Sequence, residues 1–313
     1  MPDAISINGV SRLVDRGVIR ARGADAGKFL QGQLTNDVLT LAPDAARLAG
    51  FCSAKGRLQA SFVVWRNGND EYLLSCPLSL LAPTLKRLSM FVLRAQCRLS
   101  DASAEFELYG VAGVPAGAML GTAPVWSRSE LDGAALIRLP DAAGLKRCLV
   151  AAPVGTEPDV AAAPVMALAT WRWLEVESGI VTIEAATVDR FVPQMVNFEL
   201  VGGVDFQKGC YPGQEVVARS QYRGTTKRRT FLYDCDTLPE AGQDVFSGTA
   251  AGEAAGTVAN AAPHPEQPGG SALIELRLAA LDSGELRLGS PDGARLRQRE
   301  LPYPVPLEAE STH

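Results

Sequence analysis

Residues 206–219 hold the chain's strongest candidate for chemistry, a cysteine placed between two cations. Cys210 stands directly before the sequence Tyr-Pro-Gly-Gln at 211–214. That sequence predicts a type II turn, because proline fixes φ at the first central position and glycine supplies a positive φ at the second. Lys208 precedes the cysteine by two residues, and Arg219 lies on the short helix predicted after the turn. Nearby cations lower the pKa of a thiol and raise its fraction of thiolate, which is the nucleophile and the soft-metal ligand.

Two interpretations of Cys210 stay open at this point. Cysteine is among the most buried residue types, so Cys210 can be a small apolar residue beside an ordinary turn. Its position before a turn and between cations instead favours a thiol that is presented to solvent. Glu215 and Arg219 are four residues apart, so we expect them to face each other on the helix that follows.

The composition disfavours several other kinds of functional site. The 313 residues are 47% hydrophobic and 21% charged, with a net charge of −5, which disfavours a broad electrostatic grip on nucleic acid. The two histidines, His264 and His313, are too few for histidine triads or histidine-rich zinc sites. The sequence also lacks a Walker-type or G-x-G-x-x-G phosphate loop, which disfavours nucleotide-driven mechanisms.

The cysteines and the hydropathy indicate the compartment. The six cysteines are scattered without a C-x-x-C pair, as is typical of reduced thiols in a cytoplasmic protein. The first residues do not resemble a secretory signal. No apolar run approaches the roughly 20 residues that a membrane helix needs, so we expect a cytoplasmic protein without a membrane partner.

The pattern of elements predicts an α+β body followed by a β-barrel. Strands and helices joined by short turns fill residues 1–225, with a Pro-, Gly- and Ala-rich linker near 153–164. A helix over 165–178 is predicted to bury Trp171 and to stop at Gly179. Short alternating strands with glycine-rich turns in residues 226–313 are typical of a small closed barrel.

Several polar side chains in these elements have two interpretations each. The amide-rich segment 31–37, which includes Asn36, either caps a helix and turns the chain or lines a polar pocket. Lys55 and Arg57 flank a hairpin turn and are either solvated or held over an anionic ligand. Glu177 opposes the dipole in the last turn of its helix, so it is either solvated or aimed at N–H donors of a ligand.

Ordered motifs along nearly the whole chain resemble those of the YgfZ family, folate-binding relatives of the glycine-cleavage T-protein. The most specific motif is Lys-Gly-Cys-Tyr-Pro-Gly-Gln-Glu at 208–215 with Val-Ala-Arg at 217–219. The other matching segments are 29–37, 55–57, 177–179, 191–197, 223–228 and 301–303. The sequence departs from the family at Arg16, near which the family can place a second tryptophan beside the folate.

This resemblance implies a T-protein-like (aminomethyltransferase) fold that binds tetrahydrofolate. Glu177 would take the place of the T-protein's pterin-anchoring glutamate, with Trp171 as the aromatic wall beside it. A carboxylate can accept paired N–H bonds from a pterin, and an aromatic ring can stack on its flat face. The further folate contacts expected are Asn36, Lys55, Arg57, Gln194 and Asn197, of which Lys55 and Arg57 suit the anionic glutamyl tail.

The resemblance also implies a role in the synthesis or repair of iron–sulfur clusters, including those of radical enzymes that thiolate tRNA. Cys210, poised by Lys208 and Arg219, would take up a sulfur, an iron or a one-carbon adduct. The expected partners are folate and iron–sulfur client proteins, and the expected state is a monomer. A folate-dependent aminomethyl transferase is the alternative, so whether the protein is an enzyme stays open. Direct RNA binding through the basic residues 223–229 is disfavoured by the overall acidity.

Overall fold

A computed structural model describes residues 7–156, 163–222, 226–247, 253–283 and 285–306. Those residues form two five-stranded sheets with flanking helices and a closed six-stranded barrel. The predicted α+β class and the predicted C-terminal barrel are therefore confirmed. The central part of the predicted linker, residues 157–162, lies outside the described residues.

Sixteen strands and five α-helices make up the regular structure of the described residues, together with four short 3-10 helices at Ser103–Glu105, Ala185–Thr187, Pro193–Val196 and Leu278–Ser283. The strands are β1 (Gly9–Arg12), β2 (Arg16–Arg22), β3 (Ala46–Cys52), β4 (Leu58–Arg66), β5 (Glu71–Pro77), β6 (Arg98–Asp101), β7 (Phe106–Ala112), β8 (Arg128–Leu131), β9 (Ala134–Ala142), β10 (Leu145–Pro153), β11 (Arg228–Cys235), β12 (Asp244–Ser247), β13 (Ala254–Pro263), β14 (Gly270–Arg277), β15 (Leu286–Leu288) and β16 (Arg295–Arg299). The helices are α1 (Ala26–Gln31), α2 (Leu78–Ser89), α3 (Val114–Leu120), α4 (Leu168–Glu177) and α5 (Gln214–Tyr222).

The first sheet has the order β3-β4-β5-β2-β6. Its antiparallel β3–β4 pair is the predicted hairpin, with Ala46 opposite Trp65 and Cys52 opposite Leu58. The apolar face of this sheet is covered by α1 and α2, whose buried leucines join its core. Burial of this face by amphipathic helices is what holds the hairpin in a fixed orientation.

The second sheet has the order β1-β7-β10-β9-β8, and α4 lies between this sheet and the barrel. Trp171 on α4 packs against β7, where a Cβ added at Gly110 would stand 2.3 Å from its ring. The opposite flank of α4 contacts β13 and β14 of the barrel. Helix α4 therefore brings the second sheet and the barrel together, and its polar side chains lie where these units meet.

The barrel closes in the order β11-β14-β13-β12-β15-β16, because β11 pairs with both β14 and β16. A cluster of buried aromatic and aliphatic side chains fills it, including Phe231, Tyr233, Val258 and Ile274. Closure leaves no free sheet edge among these strands. The barrel thus forms a rigid unit against which the body packs.

Candidate functional site

The cysteine turn, defined here as residues 208–214, presents Cys210 at the surface. Cys210 is exposed, whereas the other five cysteines are buried or partly buried. The type II turn is confirmed, since Gly213 has φ +79° and the Gln214 amide donates to the Tyr211 carbonyl at 3.2 Å. The buried interpretation of Cys210 is therefore wrong, and its thiol can be reached by a partner.

Arg219 lies on α5 just beyond the turn and is highly exposed. Its guanidinium pairs with Glu215 at 3.2 Å, as the four-residue spacing predicts. The structure therefore gives Arg219 a carboxylate partner on its own helix. A role for Arg219 in poising Cys210 stays a prediction.

Lys208 is buried and fastens the cysteine turn to the end of α1. Its ammonium donates hydrogen bonds to the carbonyl oxygens of Gln31 and Leu34. It also lies 4.9 Å from the ring centroid of Tyr211, within the range of a cation–π contact. Burial lowers the pKa of Lys208 to about 8, while nearby carboxylates and the Cys210 thiol oppose that shift. Lys208 thus holds the cysteine turn against the end of α1, and it lies close enough to Cys210 to interact with it electrostatically.

The hairpin tip at residues 53–57 packs directly on the cysteine turn. A Cβ added at Gly213 would stand 2.4 Å from the Ser53 carbonyl oxygen and 2.6 Å from the Gly56 amide nitrogen. Arg57 donates to the carbonyl oxygens of Asp189 and Arg190, and Lys55 is exposed at the tip. Both predicted tail-binding cations therefore lie beside the cysteine turn.

Gly213→Ala is expected to lower the free energy of unfolding by about 2 kcal/mol, since a side chain at positive φ is strained and the added carbon meets the hairpin backbone. Thermal unfolding measures this change, and the rate of thiol modification shows whether Cys210 has moved. Gly209→Ala is the matched control, because that exposed glycine has open space around the added carbon. Equal losses in the two variants would contradict the contact between turn and hairpin.

Asn36 belongs to a network of hydrogen bonds that joins distant loops. Its side-chain nitrogen donates to the carbonyl oxygens of Leu48 and Gly202, at 2.7 Å each. The neighbouring Thr35 hydroxyl donates to the Gly203 carbonyl at 2.6 Å. These bonds agree with the interpretation of segment 31–37 as a turn and capping motif. A role for Asn36 in folate binding stays a prediction.

Gln194 and Asn197 lie buried in the joint between the body and the barrel. The Gln194 side chain donates to the Val217 carbonyl of α5 at 2.8 Å. Asn197, whose backbone is left-handed with φ +56°, donates to the Thr230 carbonyl of β11 at 2.7 Å. Both amides therefore connect the 193–197 segment to neighbouring elements, and their expected folate contact stays a prediction.

The two arginines that begin β11 are neutralised. Arg228 makes a two-pronged ion pair with Glu275, and the buried Arg229 pairs with Glu199. Residues 223–225 of the cluster lie outside the described residues. The described arginines therefore do not form the free positive surface that an RNA-binding face would need.

Glu177 is buried, with a side chain only 3% exposed, and its carboxylate is held by the barrel. Both oxygens accept from Arg299 of β16, at 2.7 and 2.9 Å. Burial raises the pKa of Glu177, and the Arg299 charge opposes that shift. The interpretation of Glu177 as solvated is thus wrong. In this structure its carboxylate stabilises the contact between α4 and the barrel.

Trp171 and Glu177 do not come together. Trp171 is buried in the core, with the Arg147 guanidinium 5.5 Å from its ring centroid. The tryptophan that approaches the Glu177 network is Trp173, whose indole N–H donates to the Ser271 hydroxyl at 3.0 Å. That placement separates the predicted aromatic wall from the predicted pterin anchor.

A cavity of about 710 Å³ opens where the first sheet, α4 and the barrel meet. The lining residues among those described are Asp15, Arg16, Pro77, Leu78, Ser79, Arg172, Glu175, Val176, Ile180, Thr182, Glu184, Ala185, Ala186, Ala241, Asn260 and Ala261. None of the side chains predicted from sequence to bind folate belongs to this lining within the described parts of the chain. We call this space the central cavity.

Charged side chains from several elements meet on the wall of the central cavity. Arg16 forms an ion pair with Glu175, and beside it Arg172 donates to Asp15 at 2.8 Å. Glu184, in the segment that follows α4, accepts from the Asn260 amide of β13 at 2.7 Å. Burial raises the pKa of Glu184, as does the nearby charge of Glu175.

Sequence reasoning missed this set of residues. The sequence prediction names Glu177 and not Glu175, which lies on a different face of α4. The available signal was the spacing of Arg172 and Glu175, which places opposite charges on one helical face. Glu184 and Asn260 gave no comparable local signal, since they meet only through tertiary packing.

One segment connects the central cavity with the cysteine turn. Ile183 donates its amide to the Ser61 hydroxyl, and Leu58 exchanges backbone bonds with residues 189 and 191. Residues 182–191 therefore follow β4 from Glu184 in the cavity to the carbonyl groups held by Arg57. Six residues span at most about 20 Å, which limits the distance from Glu184 to Arg190, the residue whose carbonyl Arg57 holds.

Within the described ranges, no helix is long and apolar enough to cross a membrane. The same residues contain no group of three or more His, Cys, Asp or Glu side chains placed to hold a metal ion.

The chain is similar to curated proteins over most of its length. The chain is 36% identical over 260 residues to the tRNA-modifying protein YgfZ of Edwardsiella ictaluri, covering 75% of this chain and 74% of the relative. It is 33% identical over 234 residues to the protein of that name from Shigella sonnei, with 71% of each covered. No protein-family model matches the chain.

The fold resembles that of the glycine cleavage system aminomethyltransferase T from Bartonella henselae. The TM-score is 0.71 at 16% identity, over 94% of this chain and 85% of that one. This likeness confirms the predicted T-protein-like fold, and the identities over most of the chain confirm the resemblance seen in the motifs. The chain belongs to the YgfZ family of tRNA-modifying proteins.

Proposed function

We propose that this protein binds tetrahydrofolate in the central cavity and supports the synthesis or repair of iron–sulfur clusters in client enzymes, including tRNA-thiolating radical enzymes. The exposed Cys210 thiol is the group that reacts. The observation that carries the proposal is a carboxylate-lined cavity joined by segment 182–191 to the hairpin tip, on which the cysteine turn with its exposed thiol is packed.

The residues of the central cavity fit a reduced pterin. Its volume of about 710 Å³ lies within the range typical of small-molecule sites. Glu175 and Glu184 supply carboxylate oxygens for the N–H and amino groups of the ring. Leu78, Val176 and Ile180 supply apolar surface for its flat faces. When bound, tetrahydrofolate would supply a carrier for one-carbon groups.

Glu184 is a better candidate for the pterin anchor than Glu177. Glu177 is already engaged on both oxygens by Arg299. Glu184 lines the cavity, and its carboxylate accepts from two neutral donors, the Asn260 amide and the Thr187 backbone N–H. Burial raises the pKa of Glu184, so further N–H donors from a ligand would favour its charged form.

Cys210 suits chemistry with a protein client. An exposed thiol on a turn can be reached by another protein, whereas the five other cysteines are less accessible. Lys55 and Arg57 lie beside the cysteine turn, and Arg57 holds the Arg190 carbonyl near the end of segment 182–191. We place the anionic glutamyl tail of the folate toward these two cations, with the pterin in the cavity.

Glu184→Gln is expected to weaken binding of 5-formyltetrahydrofolate at least tenfold, because an amide can accept fewer N–H bonds than a carboxylate and carries no charge. Isothermal titration calorimetry gives the Kd. Glu130→Gln on β8 is the matched control, since that glutamate is exposed and outside the cavity lining. An unchanged Kd in Glu184→Gln would reject the anchor, and absence of binding by the unaltered protein would reject the folate site.

A folate-dependent aminomethyl transferase is the second candidate, favoured by the T-protein-like fold. The two functions differ in turnover. Steady release of 5,10-methylenetetrahydrofolate from an aminomethyl donor would favour the transferase, whereas restoration of cluster-dependent enzymes without such release would favour the maintenance role.

A further inference from the structure

The Arg16–Glu175 ion pair lies on the wall of the central cavity. Arg16 begins β2, and Glu175 lies on α4, so the pair joins the first sheet to the helix. Their side chains are 14% and 26% exposed, so both are substantially desolvated while still bordering the cavity. The pair therefore presents a hydrogen-bond donor directly beside an acceptor.

That arrangement complements one edge of an oxidised or reduced 4-oxopteridine ring. The edge carries a carbonyl oxygen, then a ring N–H, then an exocyclic amino group. A guanidinium can donate to the carbonyl, while the adjacent carboxylate accepts from the N–H and the amino group. A neutral aliphatic or amide neighbour would offer no charge-assisted donor to the carbonyl.

We propose that Arg16 is a specificity-determining residue that selects 4-oxopteridines, by donating to the ring carbonyl while Glu175 accepts from the neighbouring N–H groups. This inference rests on the proposed folate site.

The other charged groups of the cavity are less suited to this task. Arg172 is more exposed and is held by Asp15. Glu184 accepts from the Asn260 amide, and the cations that act on it, Arg16 and Arg172, are engaged by Glu175 and Asp15. Of the two cations in the described lining that are paired with a carboxylate, Arg16 is therefore the less exposed, and its partner is Glu175.

Opening this pair costs free energy unless the ligand replaces both partners. A ligand with an amino group in place of the carbonyl would leave Arg16 facing an N–H group, and its neighbouring ring nitrogen, which carries no hydrogen in the neutral ring, would offer Glu175 no donor. Unpaired charges in desolvated sites are strongly unfavourable. Such a ligand should therefore lose more affinity than the loss of one hydrogen bond would cause. A protonated diaminopteridine would in addition be repelled by the Arg16 charge.

Folic acid and aminopterin make a matched pair of probes, because aminopterin carries an amino group in place of the ring carbonyl and a ring nitrogen without hydrogen in place of the neighbouring N–H. Titration calorimetry on the full chain at pH 7.5 gives both Kd values. The unaltered protein is expected to bind folic acid at least tenfold more tightly. Arg16→Leu is expected to reduce this preference at least about threefold, while the part of it that Glu175 sets remains.

Two further variants keep the result interpretable. Arg172→Leu removes a cavity cation outside the pair and is expected to keep the preference of the unaltered protein. Arg16→Lys keeps a positive charge for Glu175 but loses the planar fork, so its preference should fall between those of the unaltered protein and Arg16→Leu. Thermal unfolding verifies that each variant is folded.

The outcomes separate the two proposals. A preference for folic acid that is undiminished in Arg16→Leu, or equal Kd values in the unaltered protein, would overturn the role of Arg16. If neither pteridine nor 5-formyltetrahydrofolate binds the unaltered protein, the folate site itself is rejected, and this inference with it.

Discussion

Cys210→Ala is expected to leave the fold and tetrahydrofolate binding intact while reducing the rescue of iron–sulfur enzyme activity to the level of a strain that lacks the protein. The thiol is exposed on a turn, so its removal costs little packing, within about 0.5 kcal/mol of unfolding free energy. Alanine cannot carry a sulfur, an iron or a one-carbon adduct. The loss should therefore be confined to the reactive step.

The measurement is activity of a cluster-dependent tRNA-thiolating enzyme in a deletion strain that expresses each variant. Cys97→Ala is the matched control, because Cys97 is partly buried and burial raises the pKa of its thiol. That variant should rescue fully. Full rescue by Cys210→Ala, at equal protein level, would remove Cys210 from the proposed function.

Features set by neighbouring residues were predictable from the sequence. The positive φ of Gly213 and the Glu215–Arg219 pair follow from residue type and from spacing along the chain. The hairpin of β3 and β4 follows from two apolar runs around a glycine turn. The family motifs then extended the local prediction to the whole fold, which the likeness to a T-protein confirms.

Short strands without apolar alternation were not predictable. The strands β8 and β12 have four residues each, too few for a period of two to be recognised. Each is ordered by its pairing partners, β9 for β8 and β13 and β15 for β12. Tertiary pairing therefore decides their conformation.

The central cavity was beyond local reasoning because its wall is assembled from distant parts of the chain. Arg16, Glu175, Glu184 and Asn260 come from β2, α4, the segment after α4 and β13. Glu175 and Glu177 lie two residues apart, about 200° around a helix, so they face different surroundings. Which of these two faces the cavity and which the barrel depends on packing, as the Arg299 contact with Glu177 illustrates.

Arg299→Leu is expected to lower the free energy of unfolding by about 3 kcal/mol at neutral pH, because it leaves the buried Glu177 carboxylate without its partner. Burial already raises the pKa of Glu177, and the positive charge that opposes this shift would be lost. A carboxyl whose folded-state pKa lies above its unfolded value stabilises the fold below that unfolded value, near 4.5, and loses this contribution as the pH rises through the folded pKa. The cost of Arg299→Leu should therefore shrink as the pH falls toward 4.5.

Urea unfolding of the variant and the unaltered protein between pH 4.5 and pH 8 measures this dependence. Arg297→Leu is the matched control on the same strand, since Arg297 and its partner Asp236 are 51% and 78% exposed. Exposed ion pairs contribute little, so this change should cost less than about 1 kcal/mol. Similar costs in the two variants, or an Arg299→Leu cost that grows toward acid pH, would show that Glu177 is not held as a buried charge. The barrel would then be joined to α4 mainly by apolar packing, and Glu177 would again be available as a candidate for the ligand.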